Sequence, residues 1–468
     1  MHHVGACHFP LGLRTSLLVG LALATALLLF AASASARTRL DKQPRAILDL
    51  AATPSWTLPV VGSGNDIAMD VRITNSGAVY AAGYLGTASH GADVSLVKIV
   101  NGAAAWAQPM TYDSRFHGDD MAIRMALGPG DVIYTAGNSQ GANGKDDLLL
   151  VKWSATGKVL WVRRYDGPAH SAEKATGVVV DAAGNVTVAA LSADAGGKYD
   201  WLLASWTSSG AKRWTWRYDG AFHGDDLLMD VLVAGDGSIY ATGDTAIASG
   251  VAALTVRLSA AGKLLWKRPY SGPAGLGAGA YAIAARPGGG IYVAGATFSS
   301  VGNIDGLVMR YTPSGERTDF ALDGGAGGVT SQEFMDVAVA STKQVVAVGA
   351  DASGCRVVTY NTHGAIAGAL TFPSQAWGYF QAVATDDFGG YYAAGTETLA
   401  PGDTKVFSGR GSVLPGGGGW ISLWGPAVAS PNNAPTAIAV RATTAVVVGG
   451  DWTGAGTGLD QFVLGYIY

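Results

Sequence analysis

Cysteine is nearly missing from this chain: there are two in 468 residues, Cys7 and Cys355. Cys7 precedes an apolar N-terminal run, so Cys355 stands alone in the remainder and no internal disulfide can form there. A lone thiol in so apolar a chain is expected to act as a small buried side chain. Charge is also scarce, at 14% of residues, against a usual share of about 25%. The formal net charge is −4, and −5 without Arg14, so the clustered Lys and Arg on which nucleic-acid binding rests are absent. After residue 36 no segment is both long and apolar enough to span a bilayer, which takes about 20 residues. No Ser nucleophile elbow, Walker loop or HExxH motif stands out.

Residues 1–36 have the layout of a secretory signal peptide. Arg14 leads into "LLVGLALATALLLFAA", and "ASASA" ends in an Ala-x-Ala at Ala36. The expectation is an exported chain, periplasmic or extracellular, with 37–53 as a polar lead-in and 54–468 as one domain.

What is abundant is glycine, 67 residues, and it recurs with a period. The strand endings "VYAAG", "IYTAG", "VTVAA", "IYATG", "IYVAG", "VVAVG", "YYAAG" and "AVVVG" finish at Gly83, Gly137, Ala190, Gly243, Gly295, Gly349, Gly395 and Gly449. The steps are 54, 53, 53, 52, 54, 46 and 54 residues, which makes eight copies of one module. Each copy continues through a Gly-rich loop into a third strand such as "DLLLVKW". A short turn follows, then a fourth strand such as "VLWVRRY". Four short strands per copy predict an eight-bladed, all-β propeller of antiparallel blades. The last copy stops after its third strand, and "SWTLPVV" around Trp56 precedes the first. That N-terminal strand is therefore expected to complete blade eight and close the ring.

The run "WVRRYDGPAHSAEKATGVVVDAAGNVTVAA" resembles the bacterial extracellular β-propeller repeat family of SBBP type. The likeness covers nearly all of the chain after the signal and is strongest in the first four copies. It implies a secreted propeller and no particular activity. The turn "ATGKVLW" is similar to the tryptophan motif of pyrroloquinoline-quinone dehydrogenases, which are eight-bladed as well.

Three histidines, His117, His170 and His223, occur at intervals of 53, each followed three residues later by an acid: Asp120, Glu173 and Asp226. Asp66 holds the acid position of the first copy, whereas later copies have Ala278, Gln332, Gly378 and Asn432. Successive blades fan outward, so three imidazoles are not expected to meet on one metal ion; the expectation is no metal and no cofactor. Each His is expected to bond to backbone or to its own acid. An Asp at the entry to the third strand recurs as Asp93, Asp147, Asp200, Asp305, Asp403 and Asp460. A carboxylate so widely repeated is expected to accept turn N–H groups. Trp377, Tyr379 and Phe380 enter the seventh copy, and Trp452 lies in a loop of the eighth; with Asp66 they form a candidate ligand platform. The balance favours a non-catalytic propeller whose loop face binds an extracellular glycan or protein partner. The alternative is a secreted polysaccharide lyase or hydrolase using a His–carboxylate pair, with a quinone-dependent dehydrogenase more remote.

Overall fold

The computed structural model describes residues 48–49, 54–60, 65–273, 275–323, 331–373, 377–400, 403–413, 419–424, 434–441, 444–454 and 458–467. The expected signal peptide lies outside the described residues, as does the lead-in apart from 48–49. Among the described residues no helix is long and apolar enough to cross a membrane.

The second repeat shows how a copy folds. Asp120–Gly128, Val132–Gln140, Asp146–Trp153 and Val159–Tyr165 form a four-stranded antiparallel meander. Its hairpins close with a short polar turn: Gly157 N–H donates to the Ser154 carbonyl at 2.9 Å, with Gly157 at φ 83°. The "SATGK" pattern thus reads as a turn ending in a left-handed residue, where glycine carries no Cβ penalty. The Ala-Gly ending has a different cause. The first strand of each copy carries a bulge, at Ala68/Asp70, Ala122/Arg124 and so on through Phe380/Ala382 and Pro435/Ala437. The bulge drives a backbone carbonyl toward the second strand. A Cβ on Gly83, Gly137, Gly243 or Gly349 would overlap the carbonyl oxygen of Ile67, Met121, Leu227 or Glu333. The sequence signature of the repeat is the footprint of that bulge.

These sheets make a β-propeller, and the count is corrected from eight blades to seven sheets. The physical reason is a pairing of Ile67 with Gly450, which merges the first and last repeats into one nine-stranded sheet. Within it Trp56–Val60 pairs antiparallel with Gly458–Ile467, from Trp56 opposite Gly465 to Val60 opposite Gln461. The fourth strand of the first repeat is broken into Ala103–Ala104 and Met110–Tyr112, leaving Trp106 between them. Leu48–Asp49 adds a parallel strand beside Gly419–Trp424.

Adjacent sheets pack face to face through apolar side chains. Tyr134, Leu148 and Leu150 of the second repeat meet Val186, Val188 and Leu202 of the third. Polar staples cross the same seams. Asp70 accepts the Met125 N–H at 2.8 Å, Asp230 that of Ile283 at 3.0 Å, and Asp336 that of Val383 at 2.8 Å. Fourth-strand indoles reach the turn of the next sheet: Trp161, Trp214 and Trp266 donate to the carbonyls of Ser208, Ala260 and Pro313 at 3.0–3.1 Å. Trp56 lies over Gly102 in the equivalent way. Cys355 is buried at 1% exposure, and burial raises its thiol pKa.

Candidate functional site

The histidine loops of the second, third and fourth repeats share one geometry. His117, His170 and His223 have φ of 51°, 48° and 47°, in the left-handed region. Each backbone N–H donates to the carbonyl three residues earlier, on Ser114, Gly167 and Gly220, at 3.0 Å. That turn aims each ring back along its own loop. The Nδ1 atoms stand 2.7 Å from carboxylates of Asp113, Asp166 and Asp219, four residues upstream. The expected pairing with the acid three residues downstream is therefore corrected in its partner. These imidazoles are well exposed, with side-chain values of 65%, 72% and 76%. The hydrogen bond to the Asp166 carboxylate raises the pKa of His170, and that to Asp219 raises the pKa of His223.

The downstream acids point inward. Asp66, Asp120, Glu173 and Asp226 are all at 0% exposure. Asp120 accepts the Ser114 N–H at 2.6 Å and the Ser139 hydroxyl; Asp226 accepts the Gly220 and Ala246 N–H groups at 2.5 and 3.0 Å. Asp66 accepts the Gly86 N–H at 2.9 Å, and Glu173 the Ser192 hydroxyl at 2.8 Å. They fasten the loops from beneath, because buried N–H groups at a strand entry need acceptors. Residues 137–141, "GNSQG", match the Gly-x-Ser-x-Gly pattern of a nucleophile elbow, but Ser139 is buried within the strand Val132–Gln140 and not exposed on a strand-to-helix turn.

The third-strand acids find side chains as partners. Arg164 donates to Asp147 at 2.9 Å and Arg217 to Asp200 at 3.2 Å, while the Asn303 amide donates to Asp305 at 2.9 Å. Each of the first two acids joins a carboxylate cluster, Asp147 with Asp166 and Glu173, and Asp200 with Asp219 and Asp226. No group of possible metal ligands among the described residues contains two of the three repeated histidines, which stay on separate loops.

In the first of these clusters Glu173 is raised to about 7, by burial and then by Asp166 and Asp147. Its Oε2 has no hydrogen-bond partner. With the folded-state value above the ordinary 4.5, stability from this group is full below pH 4.5 and is lost as pH rises toward 7. Glu173→Gln should therefore raise the melting temperature at pH 8 and change it little at pH 4.5. An equal shift at both pH values in a thermal melt would contradict the burial of an ionised Glu173.

Above this cluster opens a cleft of about 680 Å³. One wall is Tyr112, Arg115 and Phe116 from the first histidine loop; the other is Asn143 and Asp147, with Asp166 and His170 beyond. Phe116 is half-buried, and two guanidinium groups lie near its ring centre, Arg115 at 4.7 Å and Arg164 at 5.2 Å. Asn143 donates to the His170 carbonyl at 3.1 Å, tying the two loops together. The two arginines offset Asp147 and Asp166, so the cleft has little net charge. None of these aromatic and basic residues stood out in the sequence.

The expected platform in the seventh and eighth copies is different in kind. Phe380 is buried at 1% exposure and stacks on Phe407 at 5.2 Å between centroids, so it belongs to the core. Tyr379 is half-buried and accepts a hydrogen bond from the Gln381 amide at 2.9 Å. Trp377 begins a strand and Trp452 lies within one, opposite Asp460, rather than in a loop; their side chains lie outside what is described.

No protein-family model matches the chain, and no curated protein matches it. Neither the SBBP likeness nor the quinone-dehydrogenase likeness gains support there. Solved structures do match. The chain is similar to Sqt1 from Chaetomium thermophilum at a TM-score of 0.55 and 12% identity, over 89% of this chain and 98% of that one. It is also similar to the polysaccharide lyase Uly1 (TM-score 0.49, 10% identity, 89% and 100% covered). The β-propeller domain of the Trilobed protease from Pyrococcus furiosus gives 0.44 at 8% identity, over 75% and 98%. At such identities the likeness is one of fold, and propellers carry many unrelated functions.

Proposed function

We propose that the chain is an exported, non-catalytic propeller that binds a neutral glycan in the cleft between the Tyr112–Phe116 and Asn143–Asp147 loops. The observation that carries this reading is the lining of that cleft. The half-buried Phe116 ring, with Tyr112 beside it, offers apolar area at the floor, and Asn143, Asp147, Asp166, His170 and the two arginines offer donors and acceptors around it. A sugar ring presents the complementary surface, an apolar face with a polar edge. Near-neutral local charge and the overall net charge of −4 favour a neutral ligand over an anionic polymer. The signal-like N-terminus and the likeness of the repeats to secreted SBBP-type propellers support the extracellular setting.

Isothermal titration with neutral oligosaccharides, and with uronate or sulfated ones, tests this. Phe116→Ala should weaken binding of the neutral ligand about tenfold or more, the equivalent of roughly 1.4 kcal/mol, and anionic ligands should bind more weakly than neutral ones. Unaltered affinity in Phe116→Ala would overturn the proposal. One observation favours the second reading, a polysaccharide lyase or hydrolase: the exposed His170–Asp166 pair lies on the cleft wall. Polymer cleavage that disappears in His170→Ala while binding persists would establish it.

A further inference from the structure

The first of the three histidine loops stands over a cluster unlike its two siblings. In the siblings an arginine two residues before the loop aspartate, Arg164 or Arg217, bonds to the third-strand acid. Thr111 occupies that place in the first loop, and no guanidinium among the described residues is paired with Asp93 or Asp113. The space is taken by His90. Its Nδ1 lies 3.5 Å from Asp93 Oδ1, and its Nε2 lies 4.0 Å from Asp113 Oδ2. Three atoms here are shut off from solvent with no hydrogen-bond partner: His90 Nδ1, Asp93 Oδ1 and Asp113 Oδ1. Asp93 and Asp113 thus face the same imidazole from two loops, with no lysine or arginine paired to either among the described residues. Buried polar atoms left unpaired are costly, and a group of three in one place calls for a partner.

We propose that His90, Asp93 and Asp113 form a binding site for one divalent transition metal ion of the zinc class. One imidazole nitrogen and two carboxylate oxygens suit such an ion, and its two positive charges match the two carboxylates. The potential ligand atoms lie within 4.8 Å of one another. In a tetrahedral zinc site neighbouring ligand atoms are about 3.3–3.5 Å apart, so the His90–Asp93 spacing of 3.5 Å already fits. Asp113 faces the other nitrogen of the ring, at 4.0 Å, so metal binding requires a rotation of the His90 or Asp113 side chain, with water as the fourth ligand. The surroundings hold the ligands in place. The His90 N–H donates to the Thr87 hydroxyl oxygen at 3.1 Å, and Ala92 N–H to Asp119 at 2.9 Å, which fixes the loop between. His117 Nδ1 bonds to Asp113 Oδ2 at 2.7 Å, orienting that carboxylate from outside the ligand set. The site uses one of the repeated histidines as an orienting group and none as a ligand, so it differs from an ion shared among the three loops.

Zn²⁺ and Co²⁺, added singly to the purified chain and followed by dialysis, metal analysis and titration calorimetry, test the proposal. One equivalent should be retained by the unaltered chain. His90→Ala and Asp93→Asn should each lower affinity at least a hundredfold, and His117→Ala about tenfold, the effect typical of an outer-shell partner. His170→Ala and His223→Ala should leave it unchanged. Co²⁺ should give the intense visible absorption of a four-coordinate site, lost in His90→Gln, a variant that keeps a polar side chain of similar length. No retained equivalent in the unaltered chain would overturn the proposal, as would one that survives both His90→Gln and Asp93→Asn.

Discussion

Deleting residues 54–60 should lower the melting temperature by about 6–10 °C and promote aggregation. The estimate takes roughly 3–5 kcal/mol for one packed aromatic and about 2 °C per kcal/mol for a chain of this size. The deleted strand supplies the outer partner of Gly458–Ile467 across five residue pairs. Its indole covers Gly465, where an added Cβ would overlap the Trp56 ring, and reaches Gly102 of the first repeat. Removing it uncovers an apolar edge next to Phe462, Val463 and Leu464, all at 1% exposure or less. An exposed strand edge of that kind recruits other chains. The check is calorimetry with light scattering on the same sample, and an unchanged melting curve would show that the strand does not belong to the ring.

Gly262→Ala should destabilise by about 2–4 kcal/mol, combining left-handed backbone strain with overpacking. Gly262 has φ 78°, and a Cβ there would stand 2.5 Å from Cδ2 of Trp214, the indole that docks on this turn from the preceding sheet. Gly197 is the control. It has φ 82° but nothing within 4 Å of its added Cβ, so Gly197→Ala should show the strain alone, about 1–2 kcal/mol. Denaturant titration of both variants measures the difference. Equal losses would mean that the tryptophan docking contributes nothing to the seam between sheets.

The repeat was legible because the bulge leaves a mark at one position, the Gly after Ala, and the turns leave another. The closing strand was legible because Trp56 repeats the fourth-strand pattern. Merging of the first and last repeats was not, since it rests on one backbone pair, Ile67 with Gly450, that no side-chain pattern encodes. The inward acids were misread because two residue types at a fixed spacing look like a pair. The left-handed turn at each His instead points the ring upstream, to Asp113, Asp166 and Asp219. Those aspartates repeat at 53 residues as faithfully as the histidines, in "YDSRFH", "YDGPAH" and "YDGAFH". Phe380 was equally recoverable. It stands 15 residues before Gly395, as Ala68, Ala122, Leu228 and Phe334 stand before their own glycines, and every one of those positions is buried. The cleft and the His90 cluster were beyond reach because they join loops of different repeats, and the residues that set them apart, Arg115 and His90, are not copied.

Hydrogen exchange of the chain with and without a saturating neutral oligosaccharide tests the central claim most directly, because it locates the ligand without any substitution. Protection should concentrate in residues 112–116, 141–147 and 164–170, the segments that line the cleft. Protection centred instead on residues 377–380 and 450–454, or absent from the cleft segments under saturating ligand, would contradict it.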